Sequence, residues 1–191
     1  MISTLFMSSK EIRSQWRNDM RTLMIFLCAF LFMYIDFTFA EFSPASIIGV
    51  AVYFVPRTLL IFILLLSIYV GSRMGIFLAV VFGVMLDIYI GSLYGIHTFG
   101  MVAFVVFMHT AFRVFHRDFV AMAFVVLLLI FFYDAYIYAI YSVLGMIDMP
   151  LFDYTALRSV PSMLINALLF LIVFVVARKV ARVRKELLKQ D

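Results

Sequence analysis

GIFLAVVFGVMLDIYIGSLYG, residues 75–95, carries a small or polar residue at every fourth position: Gly75, Ala79, Gly83, Asp87, Gly91 and Gly95. Large apolar side chains fill nearly all the positions between. Neighbours four apart on a helix lie almost above one another, so the first four form a slowly winding stripe with little bulk. In lipid, packing rather than hydrophobicity draws helices together, and such a stripe lets a second backbone come close. It ends in a carboxylate, which is costly at membrane depth and therefore faces protein or trapped water. The segment is expected to be a packing helix with a polar anchor, with the other apolar segments arranged around it.

The composition agrees. Hydrophobic residues make up 66% of the 191, charged residues 14%, and the mean hydropathy is +1.14. Soluble domains run at about 45–50% apolar, so this is a polytopic membrane protein, all-α and a single domain. Cys28 is the one cysteine; it permits no internal disulfide and reads as a small lipid- or helix-facing residue. No cleavable signal peptide is expected, because the first apolar run, from Thr22, is too long and lacks a small-x-small cleavage pattern.

Six spans are expected, at about 22–40, 56–70, 74–90, 96–115, 119–144 and 159–176. Residues 1–21 carry Lys10, Arg13, Arg17 and Arg21 around Trp16. The four-residue spacing of Ile12, Trp16 and Met20 would suit a short surface helix, but plain topogenic charge with an interfacial tryptophan is preferred. Pro56-Arg57 interrupts the apolar run 47–70. Either one kinked span holds Arg57 near its middle, or 45–55 lies in or dips into the outer interface and a shorter span starts at Pro56. Proline suits a first helical turn and an arginine near a helix end can snorkel, which favours the second. Gly91 to Gly95 is expected to be a turn, and 145–158 the longest loop between spans. A basic tail, 177–191, follows the last span.

With six spans, thirteen of the fifteen Lys and Arg fall on one side, leaving only Arg57 and Arg158 on the other. The positive-inside rule then puts both termini in the cytoplasm. The net charge of +4 follows this topology and is no nucleic-acid signal.

In that topology Asp36, Asp87, Asn166 and Arg57 fall in the outer halves of their spans, and Asp134 from the middle outward. Charges at the centre of a bilayer cost about 2.5–3.5 kcal/mol each on insertion scales, so satisfying them together is cheaper. An outer-side polar cluster is expected, in which Arg57 pairs with Asp87 or Asp134. It would serve either as a polar pocket or partner surface, or as structural glue between helices. His97, His109 and His116 are too dispersed for a metal site. Ser92 has His97 near it but no nucleophile motif around it, and Gly91 and Gly95 lack the Lys and Ser/Thr of a phosphate loop. No catalysis, metal or cofactor is expected. The methionines and phenylalanines read as lipid contact and soft packing, and the tail as topogenic charge or a contact with anionic lipid or protein.

The run FGVMLDIYIGSLYGIH, residues 82–97, resembles the signature of the MreD family, the rod shape-determining membrane proteins of bacteria, which reads approximately G-x-x-x-D-x-x-x-G-S-x-x-G. Gly83, Asp87, Gly91, Ser92 and Gly95 match it. Pro56-Arg57 resembles, in inverted order, the Arg-Pro pair that opens the family's second span. Asp134 stands where these proteins tend to have an acidic residue. Asn166-Ala167-Leu168-Leu169 resembles the Asn-led start of the last span, although Phe170-Leu171 replaces the proline that commonly follows. The resemblance implies a non-enzymatic component of the cell-elongation machinery in the bacterial inner membrane. It would work with MreC, a single-span periplasmic protein, and with MreB, and through them influence RodA–PBP2 peptidoglycan synthesis. The family is also similar in fold to the substrate-binding components of ECF transporters. The leading expectation is a scaffold that binds the membrane helix of MreC, with the Gly75/Ala79/Gly83 face packing internally or on the partner. The competing one is a small-molecule or lipid-binding protein of the ECF type, which needs a roomy polar pocket.

Overall fold

The computed structural model describes residues 9–47, 49–90, 93–114 and 119–188. Gly91, Ser92, His116 and Arg117 lie outside the described residues, as do the side chains of Ile12 and Trp16. The helices are α1 (Ser9–Glu41), α2 (Thr58–Tyr69), α3 (Ser72–Ile90), α4 (Ile96–Val114), α5 (Phe119–Val143), α6 (Leu151–Tyr154) and α7 (Val160–Leu188). A π-helical turn, Thr155–Ser159, runs α6 into α7 without a break. Among the described residues four segments are long and apolar enough to cross a membrane: Thr22–Glu41, Ser72–Ile90, Phe119–Val143 and Leu151–Arg182. Thr58–Tyr69 and Ile96–Phe112 are apolar but shorter.

The centre of the bundle is α2, not α3 as the sequence suggested. Its run TLLIFILLLSIY has no polar face, which in a membrane protein suits lipid and the bundle interior alike; the fold puts it inside. All residues from Thr58 to Ser67 are buried, with α1, α3, α4, α5 and α7 packed around them. By contrast α3 leaves Phe77, Val80, Val84 and Ile88 exposed, so it is a peripheral helix with one buried face.

Several boundaries differ from the expected ones. Two short strands, β1 (Ala45–Ile47) and β2 (Val50–Val52), pair antiparallel, Ala45 with Val52 and Ile47 with Val50. Apart from these two strands the fold is all-α, as expected. Pro56 does not open α2; Arg57, with non-helical φ −130° and ψ 45°, is its N-cap and Thr58 its first residue, and the N–H groups on either side of the proline are both taken by α7. The expected long loop 145–158 is cut short by α6 and the π-helical turn, which also holds β2: the Tyr53 N–H donates to the Leu157 carbonyl at 2.8 Å. A wide π turn leaves carbonyls free to accept from outside the helix. At the ends, α1 reaches back through the basic segment to Ser9 and α7 runs on through the tail to Leu188, where lipid-spanning lengths of 22–40 and 159–176 were expected.

The small-residue stripe of α3 is turned inward. Gly75, Ala79, Gly83 and Asp87 are all buried. A Cβ on Gly75 would stand 2.6 Å from Ser67 Cβ and 3.0 Å from Ser67 Cα of α2. One on Gly83 would stand 2.6 Å from Thr98 Cα and 3.1 Å from Thr98 N of α4. Two backbones thus meet α3 on this one face, so the stripe is an internal packing surface. Gly95 does not belong to it: its φ is +92° with open space where a Cβ would be, so it turns the chain between α3 and α4. Because the atoms against Gly83 are backbone and cannot swing aside, Gly83→Ala is expected to destabilise the fold by about 1–3 kcal/mol through overpacking. Thermal unfolding in detergent checks this, and a melting temperature equal to that of the parent protein would contradict it.

Candidate functional site

Asp36, Arg57, Asp87, Asp134 and Asn166 are resolved by the structure into three linked arrangements, two helix starts and an ion pair. The first is the start of α2. The first N–H groups of any helix lack intrahelical acceptors, and here they are buried. Asp36 of α1 accepts the Thr58 N–H at 2.8 Å, the Leu59 N–H at 3.0 Å and the Thr58 hydroxyl at 2.6 Å. Asn166 of α7 accepts the Arg57 N–H at 2.8 Å and donates to the Val55 carbonyl at 3.1 Å. One turn earlier on α7, the Ser162 hydroxyl accepts the Val55 N–H at 3.0 Å and donates to the Tyr53 carbonyl at 3.4 Å. Ser162 and Asn166 are four apart and so share a face of α7. They hold the extended strip 53–57, in which Pro56 has no N–H to satisfy.

The second arrangement is the start of α4. Asp87 of α3 accepts the His97 N–H at 2.8 Å, the Thr98 N–H at 3.1 Å and the Thr98 hydroxyl at 2.6 Å. The chemistry repeats that of Asp36: a carboxylate from the preceding helix takes two consecutive backbone N–H groups and a threonine hydroxyl. A negative group at this end also complements the helix dipole.

Between these two lies the ion pair. Arg57 places Nε at 2.9 Å and Nη2 at 2.8 Å from one oxygen of Asp134 on α5. Its guanidinium lies 5.3 Å from the centre of the Tyr133 ring, within cation–π range. The Tyr133 hydroxyl and His97 Nδ1 share a hydrogen bond of 2.9 Å. Tyr154 donates to the Asp134 carbonyl at 3.0 Å, and Tyr136 to the Ile96 carbonyl at 3.2 Å. Gly100 of α4 makes room for this, since a Cβ there would sit 2.9 Å from Tyr136 and 3.0 Å from Tyr133.

Arg57 therefore pairs with Asp134, not with Asp87, whose oxygens are occupied by α4. The cluster is a chain of contacts, and its three carboxylates do not all answer one cation. Sequence reasoning passed over Thr58, Thr98, Ser162 and Tyr133 as partners. The two threonines carry a readable signal, because a Ser or Thr at the head of an apolar run often marks a helix start. Ser162 and Tyr133 carry none, because only the fold brings them to strip 53–57 and to Arg57. Among the described residues no group of three or more His, Cys, Asp or Glu is placed to hold a metal ion.

The family model described as rod shape-determining protein MreD matches residues 20–183, and the chain belongs to that family. No curated protein and no solved structure matches the chain significantly.

The assigned pairing has a measurable signature. Arg57→Ala and Asp134→Ala are each expected to cost about 3–5 kcal/mol, since each strands a charge. The double variant should cost well below the sum, whereas Arg57→Ala with Asp87→Ala should come close to additive. Unfolding free energies of the parent, the three single and the two double variants decide the matter, and the opposite pattern would return Arg57 to Asp87.

Proposed function

We propose that this MreD-family chain threads the bacterial inner membrane six times with both ends in the cytoplasm, as a non-enzymatic scaffold of the cell-elongation complex. In this reading it binds MreC and thereby bears on RodA–PBP2, with MreB on the cytoplasmic side. The observation that carries the proposal is how the intramembrane polar groups are used. Asp36, Asp87 and Asn166 are spent on helix starts and Arg57 on Asp134. That is the economy of a rigid body that positions other proteins.

Charge supports six crossings, and among the described residues four segments have the length to cross unaided. The twelve residues of α2 reach about 18 Å, short of the ~30 Å hydrocarbon core. The extended strip 53–57, about 16 Å at 3.3 Å per residue, makes up the difference on the outer side. Non-helical backbone at that depth is tolerated only where protein covers it, and α7 covers it with Ser162 and Asn166. Alanine, by removing the Asn166 amide, leaves the Arg57 N–H and Val55 carbonyl without partners.

A carrier of the ECF type would need room around the polar groups. The Arg57 and Asp134 side chains are instead closed on each other, 16% and 9% exposed, which favours the scaffold.

Reporter fusions at the two chain ends are expected to give cytoplasmic signals, and affinity purification from membranes is expected to bring MreC with the protein. Ends on opposite faces would break the six-span topology, and absence of MreC from the purified material would break the scaffold assignment. Asn166→Ala is expected to lower the melting temperature by several degrees, as a loss of about 1–3 kcal/mol does; thermal unfolding reads it directly.

A further inference from the structure

One face of α7 changes character toward the end of the helix. Val160, Leu164, Leu168, Leu171 and Val175 are exposed along it, spaced three or four apart, so they form a single stripe. The next two positions in that spacing are Lys179 and Arg182, both exposed, with Arg178 exposed beside them. At about 100° per residue, the three cations fall within roughly 60° of Val175 around the helix. Val173, Ala177, Val180 and Ala181 point the other way and are buried against the bundle. The cations therefore continue the face that meets acyl chains.

Their depth fits the membrane boundary. From Val160 to Arg178 the helix rises about 27 Å at 1.5 Å per residue, close to the ~30 Å hydrocarbon core. The stripe is apolar across that span and turns basic where headgroups begin. Arg178 is also held in place. Its guanidinium lies 6.0 Å from the centre of the Phe174 ring, and Phe174 packs against Phe119 of α5 at 4.8 Å and Tyr69 of α2 at 6.3 Å. A guanidinium over a ring keeps N–H donors for a second partner. Among the described residues none of the three cations is paired with a carboxylate.

Three cations within about 6 Å of axial rise attract a headgroup of net negative charge. A zwitterionic headgroup brings its own cation, which they repel, and so gains less. Because the three side chains project sideways from α7 at the boundary, the group beside them is a lipid headgroup. We propose that Arg178, Lys179 and Arg182 form a site for an anionic phospholipid of the inner leaflet, whose acyl chains lie along Leu168, Leu171 and Val175. The choice of leaflet rests on the six-span reading above; the site itself rests on the face and depth of these residues.

The test reconstitutes the full-length chain in phosphatidylcholine bilayers that hold a trace of photoreactive phosphatidylglycerol or, separately, photoreactive phosphatidylcholine. The reactive group sits beside the headgroup, and adducts are mapped by peptide mass spectrometry. Segment 174–182 is expected to take phosphatidylglycerol several-fold over phosphatidylcholine. The triple variant Arg178→Gln, Lys179→Gln, Arg182→Gln should melt like the parent and lose that preference, and each single variant should lower it, by up to roughly fivefold per cation. The parent's preference should also fall between about 0.1 and 1 M salt, as the screening length shortens from about 10 to 3 Å; this readout needs no variant. Equal labelling by the two lipids, a preference spread evenly over the other basic segments, or a preference unchanged in the variants would each overturn the site. Both leaflets of these bilayers carry the probe, so orientation does not enter the result. Reporter fusions that put the C-terminus outside would instead overturn the six-span reading and the leaflet, and leave the headgroup site standing.

Discussion

Two helices of this protein begin among buried side chains, where water cannot reach their first N–H groups, and the rest of the architecture answers that need. An unsatisfied buried donor costs about 1–3 kcal/mol, and each helix start presents several. Asp36 meets the requirement at α2 and Asp87 at α4, each from the helix before, each with a threonine hydroxyl as an additional donor. The pairs α1–α2 and α3–α4 are thus joined by the same chemical device. Both helix starts are fastened to a neighbour, so neither α2 nor α4 can shift along its axis without breaking charge-assisted bonds.

Arg57 is the price of starting α2 where it does. Its backbone caps the helix and its side chain is left in a low-dielectric setting, where an unpaired cation is expensive. Asp134 neutralises it, Tyr133 offers an aromatic face, and the Tyr133–His97 bond carries the contact to α4. Asn166 and Ser162 bring in α7 through the strip 53–57. A buried ion pair is weak support for stability as such, but this one sets which helices may be neighbours. It ties α2 to α5 at one level of the bundle, while the glycines of α3 fix the approach of α2 and α4.

The inside and the outside of the bundle therefore differ in kind. Inside, the carboxylates and the arginine are engaged by named partners, and the glycine stripe is filled by Ser67 and Thr98. Outside, α4 and α5 flank a groove lined largely by alanines and phenylalanines. Under the proposed scaffold reading, closed polar contacts within an apolar surface suit a body that holds its form.

Composition and pattern were enough to establish a helical membrane protein, the positions of its apolar segments to within a few residues at most ends, and the family, because these depend on local hydropathy and on a motif contiguous in the chain. The same information marked Asp36, Arg57, Asp87, Asp134 and Asn166 as groups needing partners, since a charge in an apolar run is conspicuous wherever it folds. Pairing was another matter. Asp36 meets Thr58 across 22 residues, Arg57 meets Asp134 across 77, and Asn166 meets the Arg57 N–H across 109; only the packed bundle chooses among such distant candidates. Tertiary structure also placed α2 at the centre, because an all-apolar helix carries no periodicity to say which side is buried. It turned the glycine stripe inward for a related reason: spacing shows that a face is smooth but cannot say which backbone lies against it.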